Sequence, residues 1–384
     1  MFLNLISLAL TVISLLTILL TIFYVLAVLF FRYGWARLSS PKGLNPPPST
    51  SVSILIAARN EEDKIASTIE DILRQDYPKE LVELIVIDDH STDRTADIIS
   101  GYSASGVKLI RLNEDQALNS YKKKAISEAI NLAQGELIVT TDADCRMHSK
   151  WLHTIVSCYE ENHFKLISSP VVFFEEKNFF EQLQTLEFLY LIGLGAATIG
   201  NKKPSTCNGA NLAYRKDVFH ELKGFQGIDD LASGDDELFL HKVASKYPDD
   251  IGFCKSYDAL VYTHAKPDLT EFIRQRKRWA SKSTRYKDKK IVVLGVSIWL
   301  FNLLIVLNAL LGFFDANYWD VLAIVLIMKF LAELFFLFPV TGFVKRRPLL
   351  LFLPVLTCIH AIYIIYIGVA GNSGKYVWKG RLVK

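Results

Sequence analysis

The feature that most constrains this chain is a set of long apolar runs at its two ends. Leu5 to Phe31 carries no charged residue, and Val292 to Phe314, Val321 to Phe343 and Leu349 to Val369 are similar in length and character. Each is long enough to cross the hydrocarbon core of a bilayer as a helix. In lipid only a helix or a closed barrel satisfies its own backbone, so four membrane helices are expected. The first run lacks a basic segment ahead of it and is too long for a cleaved signal peptide. Arg32, Arg37 and Lys42 follow it, which places the next part of the chain in the cytoplasm and Met1 outside. Basic residues from Lys282 to Lys290, acids at Asp315 and Asp320, and Lys345-Arg346-Arg347 orient the later runs alternately. The third of these would leave Lys375, Lys379, Arg381 and Lys384 outside, against the positive-inside rule. Either that segment is re-entrant or the tail is an exception.

These boundaries predict an N-terminal transmembrane helix at 1–31, a linker at 32–50, a cytoplasmic domain at 51–290, a membrane region of about three helices at 291–371, and a basic tail at 372–384. Within the cytoplasmic part, 178–201 has an apolar face interrupted by Gln184 and Glu187, and reads as a helix lying in the membrane interface. The net charge of +3 offers no case for nucleic acid. The five cysteines are scattered without a C-x-x-C pair, so neither a disulfide framework nor a zinc site is indicated.

The domain between the apolar ends alternates strand and helix patterns. Ser51 to Ala58, Leu81 to Ile87, Val107 to Leu112 and Glu136 to Thr141 are apolar strands, and helices are expected after the first three. The one from Tyr121 to Ala133 is closed by Gly135, a residue type favoured just past a helix end. Such alternation predicts an α/β fold with a mostly parallel, Rossmann-like sheet flanked by helices. Ligands bind beyond the carboxyl ends of the strands in such a sheet. Arg59, Asp88, Asp89, Asp142 and Asp144 all fall there. Asp142 and Asp144 lie one residue apart at a strand end, where alternate side chains point the same way. Two hard oxygen donors suit Mg²⁺ or Mn²⁺, with water and phosphate completing the coordination. Taken alone, Asp-x-Asp is also an ordinary acidic loop. G-x-G-x-x-G and G-x-x-x-x-G-K-[ST] are both absent, which argues against a dinucleotide oxidoreductase and a P-loop NTPase.

Ala57-Ala58-Arg59-Asn60-Glu61-Glu62, Asp88-Asp89-His90-Ser91-Thr92-Asp93, Asp142-Ala143-Asp144, Asn208-Gly209-Ala210-Asn211, Gly234-Asp235-Asp236 and Gln275-x-x-Arg278-Trp279 occur in this order. Together they resemble the motifs of membrane-bound family 2 glycosyltransferases with a GT-A fold, a group that includes cellulose, chitin and hyaluronan synthases and the ceramide and carotenoid glucosyltransferases. The resemblance implies inverting, metal-dependent transfer of a sugar from a nucleotide-sugar donor, UDP-linked by expectation. It implies that Asp236 is the catalytic base, with Asp235 the runner-up. Ala57, Arg59, Glu61, Asp89 and Asp142 would contact the donor, and Asp144 with Asp142 would hold Mg²⁺ or Mn²⁺. Lys122 or Lys123 falls where the family has Gly-Lys, but Tyr121 replaces the glycine, and both lysines stand as donor contacts. Asn208, Gly209, Gln275, Arg278 and Trp279 would serve the acceptor and the diphosphate. His264, where many relatives have Glu, receives no role.

The acceptor class is read from the membrane content. An exported polymer needs a polar path walled by several helices. The C-terminal runs have few polar residues, and Lys329 and Glu333 are spaced to pair with each other. A membrane lipid or lipid-linked acceptor at the inner membrane is expected; the alternative is a processive polysaccharide synthase acting on a glycan.

Overall fold

The computed structural model describes residues 2–42, 48–113, 120–231, 233–371, 376–378 and 381–383. Residues 43–47 of the expected linker and most of the basic tail lie outside the described residues. In chain order the helices are α1 (Phe2–Arg37), α2 (Ile65–Leu73), α3 (Thr95–Ser100), α4 (Tyr121–Leu132), α5 (Trp151–Asn162), α6 (Phe179–Gly200), α7 (Lys216–Glu221), α8 (Glu237–Lys246), α9 (Leu269–Ser281), α10 (Lys289–Leu311), α11 (Asn317–Phe343) and α12 (Leu353–Ala370). The strands are β1 (Val52–Ala58), β2 (Val82–Asp88), β3 (Lys108–Arg111), β4 (Leu137–Asp142), β5 (Arg146–Met147), β6 (Leu166–Ser168), β7 (Val171–Phe173), β8 (Leu212–Arg215), β9 (Ile251–Phe253), β10 (Val261–Thr263), β11 (Tyr376–Trp378) and β12 (Arg381–Val383). The last two pair antiparallel within the tail. The chain divides into two compact units: residues 34–177, 191–266 and 375–384 form one, and 1–33, 178–190 and 267–374 the other.

The first unit is built on a seven-stranded sheet in the order β3-β2-β1-β4-β8-β6-β9. The first four strands are parallel, as their unbroken apolar character requires. Ile54, Leu55, Ile56, Ile85, Val86, Ile138 and Val139 are all buried between helical layers. β8 then runs antiparallel to both β4 and β6, so the sheet is mixed. β5, β10 and β7 make a smaller second sheet.

Asn211 secures the reversal into β8. This fully buried residue accepts a hydrogen bond from Trp151 Nε1 at 3.0 Å and donates through Nδ2 to the carbonyls of Pro170 and Ala259, both at 2.8 Å. It thereby joins α5, the start of β7 and the approach to β10, and its part in the motif it closes is structural. Gly135 also has a reason other than the expected helix cap. α4 ends at Leu132 with an extended Ala133, and a Cβ on Gly135 would lie 2.4 Å from the backbone nitrogen of Ser53. Glycine is there because β1 passes against it.

The second unit is helical. Among the described residues, five helical stretches are long and apolar enough to cross a membrane: Thr11–Arg37, Phe179–Gly200, Lys289–Leu311, Asn317–Phe343 and Arg347–Ala370. The second of these is the segment expected to lie in the interface. Its Gln184 and Glu187 are buried, and Glu187 pairs with Arg276 of α9, itself buried. On α11, Lys329 donates to Glu333 at 2.6 Å, and Tyr24 and Thr357 donate to the same carboxylate at 2.6 and 3.0 Å. A buried charge is tolerated when it is paired and hydrogen-bonded. Asn308 of α10 donates to Thr17 of α1 at 2.9 Å, a further polar link between these helices.

Replacing Asn211 by Ala takes their partner from the Trp151 indole N–H and the Ala259 carbonyl, at about 1–3 kcal/mol for each unsatisfied group; the Pro170 carbonyl keeps the Val261 N–H at 3.1 Å. The expected outcome is a loss of roughly 2 kcal/mol or more in the stability of the sheet-containing unit, read as an earlier tryptophan-fluorescence transition of the full chain in detergent. An unchanged transition would show that the three contacts are dispensable.

Candidate active site

The site is assembled by strand register. Ala57 is opposite Asp142 and Ala58 is opposite Asp88, so the ends of β2, β1 and β4 stop at one level. The loops that leave β1 and β2 brace each other there. Arg59 Nη1 donates to the carbonyls of Asp89 and His90 at 2.8 and 2.9 Å. The side chain of Asn60 accepts from the backbone of Thr92 at 2.9 Å, and the backbone of Asn60 donates to Ser91 Oγ at 3.0 Å. The Glu61 N–H is taken by Thr95 Oγ1 at 2.8 Å. Asn60 and His90 both have positive φ, the sharp turns that let the two loops meet. Asp89 is buried, and one of its oxygens lies 3.1 Å from His90 Nδ1. Arg59 and Glu61 therefore brace the two loops against each other.

Asp142 and Asp144 follow at the end of β4, with side chains 40% and 26% exposed. Both carboxylates are thus open to a ligand. Asp144 Oδ2 has Lys64 Nζ at 3.8 Å and Thr263 Oγ1 at 3.4 Å, neighbours that sequence reasoning did not bring to the site. Lys64 could have been suspected from its position just after the Arg59-Asn60-Glu61-Glu62 motif. Thr263 comes from the far-off β10 and leaves no local signal.

Lys122 links the two ends of the site. From the first turn of α4 its Nζ reaches Asp142 Oδ1 at 2.9 Å and Asp235 Oδ2 at 3.2 Å. Burial pulls its pKa down, but the carboxylates of Asp142 and Asp235, with Asp236 beyond, outweigh that and hold it well above the ordinary lysine range. Asp236 caps α8, accepting from the Glu237 N–H at 2.6 Å and from the Gly209 N–H at 3.1 Å. Gly209 lies flat against the acid pair: a Cβ there would come within 3.3 Å of Asp236 Cβ and 3.4 Å of Asp235 Oδ2. Its carbonyl accepts from Thr140 at 2.8 Å, which ties the turn to β4. Asn208 folds back onto that turn, accepting from the Ala210 N–H at 2.9 Å. Ala57, Asp142, Lys122, Asp235, Asp236 and Gly209 thus form one connected group.

Lys123, one position further on α4, turns away from Asp142. Its Nζ donates to the carbonyls of Ile228, Leu231 and Ser233. Gln275, Arg278 and Trp279 belong to the helical unit, on α9. There Gln275 Oε1 accepts from Arg276 at 2.7 Å, and the Trp279 ring lies 5.8 Å from Phe188 and 4.2 Å from the Arg276 guanidinium carbon. Arg276, to which the sequence assigned nothing, is the buried member of that motif. His264 approaches Glu175 at 3.4 Å and packs on Phe174.

A parallel sheet edge carrying carboxylates at the strand ends, with an antiparallel continuation and an acid-capped helix behind it, defines a glycosyltransferase domain. Residues 53–223 match the model of glycosyl transferase family 2. The fold is shared with a mannosyltransferase from Pyrobaculum calidifontis, solved in complex with GDP-Man and Mn²⁺; that chain is 18% identical, aligns over 91% of this chain and 99% of its own, and gives a TM-score of 0.59. Among curated proteins, a beta-monoglucosyldiacylglycerol synthase from Nostoc sp. is 35% identical over 28% of this chain and 23% of its own length. A probable glycosyltransferase from Bacillus subtilis is 26% identical over 60% of this chain and 54% of its own. A UDP-Glc:alpha-D-GlcNAc-diphosphoundecaprenol beta-1,3-glucosyltransferase from Escherichia coli is 34% identical over 34% of this chain and 46% of its own. The chain thus spans between about a quarter and about half of these relatives.

Substituting Met for Lys122 removes a cation that separates Asp142 from Asp235. Hydrogen bonds to charged groups contribute ~1.5–3 kcal/mol, less where water screens the pair, so a loss of about 1–2 kcal/mol is expected. Thermal unfolding in detergent measures it, and Lys122→Arg should recover most of the loss. Equal stability of Lys122→Met and the unaltered chain would mean that the bridge contributes nothing.

Proposed function

We propose that this chain is an integral membrane glycosyltransferase that moves a hexose, with inversion, from a nucleotide sugar to a hydroxyl of a membrane lipid or lipid-linked acceptor. The observation that carries the reading is the bridge through Lys122 between Asp142 and Asp235. It puts the acid suited to a donor's diphosphate and the acids suited to an acceptor hydroxyl in one cluster. The lipid acceptor is supported by relatives named for glucosylating diacylglycerol and a diphosphoundecaprenol-linked sugar, and by the apolar helices. A UDP-linked glucose is the donor these names favour. The charge pattern after the first apolar run supports a cytoplasmic position for the catalytic domain at the inner membrane.

In this reading Asp236 accepts the proton of the acceptor hydroxyl as its oxygen forms a bond to the anomeric carbon. The bond from that carbon to the diphosphate oxygen breaks, and the nucleoside diphosphate leaves with the electron pair. General-base help of this kind contributes ~10²–10⁴-fold. Asp89 faces the nucleobase, Arg59 and Glu61 brace the loops beside it, and Ala57 keeps the floor small. Gly209 keeps the backbone close to the acid pair; the motif resemblance assigns Arg278 and Trp279 to the diphosphate and the acceptor.

Asp142 and Asp144 fit Mg²⁺ or Mn²⁺: both are hard oxygen donors, both are accessible, and they lie at and just past the end of β4. Among the described residues no group of three or more His, Cys, Asp or Glu side chains is gathered as a metal site, so a bound ion would also need ligands from the donor's phosphates or water. When bound, the ion neutralises the charge that develops on the leaving diphosphate.

Purified chain in detergent, given UDP-glucose and diacylglycerol, should release UDP and yield an organic-extractable glycolipid seen by mass spectrometry. Asp236→Asn should lower transfer at least ~10²-fold while UDP-glucose binding changes little. Asp144→Ala should weaken Mn²⁺ binding in the presence of UDP about tenfold or more, ~1.4 kcal/mol, read by proton relaxation. High-mass, lipid-free polymer as the product would overturn the acceptor class. Full activity of Asp236→Asn with an inactive Asp235→Asn would move the base to Asp235.

A further inference from the structure

The two lysines that open α4 are neighbours in sequence but serve opposite sides of the acid pair. Successive helical residues are about 100° apart around the axis. That rotation sends Lys122 toward Asp142 and Asp235 and sends Lys123 behind them. Lys123 is 2% exposed, which is rare for a lysine. Its Nζ lies 2.6 Å from the Ile228 carbonyl and 2.7 Å from those of Leu231 and Ser233. An ammonium has three donors and no acceptor capacity, so three carbonyls use it completely. No carboxylate is its direct partner in these contacts.

The three carbonyls lie just ahead of the turn that delivers the acids. Gly234 follows with φ near +85°, and a Cβ there would sit 2.8 Å from Leu238 Cδ1, so this turn has little freedom. Asp235 and Asp236 come next, and α8 begins at Glu237. The chain entering the turn is thus held by Lys123, and the chain leaving it by the Asp236 cap.

We infer that Lys123 is a positioning residue: its ammonium clamps the backbone ahead of Gly234 to α4 and so sets where Asp235 and Asp236 stand relative to Lys122 and Asp142. This rests on reading those acids as the acceptor-activating pair. It departs from a direct donor role for Lys123, because an ammonium spent on three carbonyls and almost wholly buried has no N–H left for a phosphate. Burial pulls its pKa down to about 8, while Asp235, Asp236, Asp230 and Asp229 act in the other direction, so the charged form is retained at neutral pH. Lysine suits the place better than arginine, whose planar fork does not match three converging carbonyls.

The test compares the full chain with Lys123→Met, which keeps the stem and removes every donor. If Lys123→Met does not accumulate folded, Lys123→Gln, with two N–H donors, takes its place. Hydrogen exchange is followed by mass spectrometry in peptides covering 228–237, UDP binding is measured directly, and hydrolysis of UDP-glucose by water supplies kcat and KM. The expected result is exchange at least about tenfold faster in those peptides alone, UDP affinity and KM within about twofold, and kcat down about tenfold or more. Unchanged exchange would overturn the inference, as would a large loss of UDP affinity, which would make Lys123 a phosphate ligand. Faster exchange with unchanged kcat would also overturn it, by showing a merely structural contact. If the unaltered chain hydrolyses no nucleotide sugar, the proposed function fails separately. The exchange and UDP-binding measurements still decide whether Lys123 clamps this backbone.

Discussion

The parallel register of β1 against β2 and β4 is the constraint on which the site depends. It sets Ala57 beside Asp142 and Ala58 beside Asp88, so residues far apart in sequence end at one edge. Everything polar nearby then has to satisfy the groups that the edge exposes. Arg59 takes carbonyls of the neighbouring loop, Lys122 takes a carboxylate from either side, and the Asp236 carboxylate takes two backbone N–H groups. A slip of one residue in β4 would turn Asp142 to the other face and remove the partner of Lys122.

Much of this was legible in the sequence. Continuous apolar strands such as Ile54 to Ile56 announce burial on both faces, and acids directly after them announce a ligand edge. The α4 boundary at Tyr121 follows from helical spacing of Ala125, Ile126, Ala129 and Ile130. Other features were hidden because they depend on contacts distant in sequence. The antiparallel turn into β8 is held by Asn211, whose partners Trp151, Pro170 and Ala259 come from separate segments. Gly135 resembled a helix stop, yet its real constraint is the passing backbone of β1.

The candidate site shows the same division. Local motifs pointed to Asp89, Asp142, Asp144, Asp235 and Asp236 because each sits at or just beyond a strand or helix end. They could not apportion the two lysines, since a residue's direction around a helix matters only against a known neighbour. They also missed Thr263, which a short second sheet brings beside Asp144. In the helical unit, spacing alone foresaw the Lys329–Glu333 pair, because i,i+4 neighbours share a helix face. The added contacts from Tyr24 and Thr357 required the three-dimensional packing.

That pair bears on how the protein is made. A lysine or acid near the middle of a lone helix disfavours its insertion into lipid by about 2.5–3.5 kcal/mol. On α11 the two charges offset each other within the helix, but Glu333 is completed by a tyrosine synthesised some three hundred residues earlier and by a threonine synthesised later. If these helices cross a bilayer as proposed, the first waits there without its Glu333 partner while the sheet-containing part is translated. The last helix supplies the final bond. In that reading the Glu333 contacts close only after α12 has been synthesised, and a nascent chain that stops after α11 lacks the Thr357 hydroxyl that completes the carboxylate.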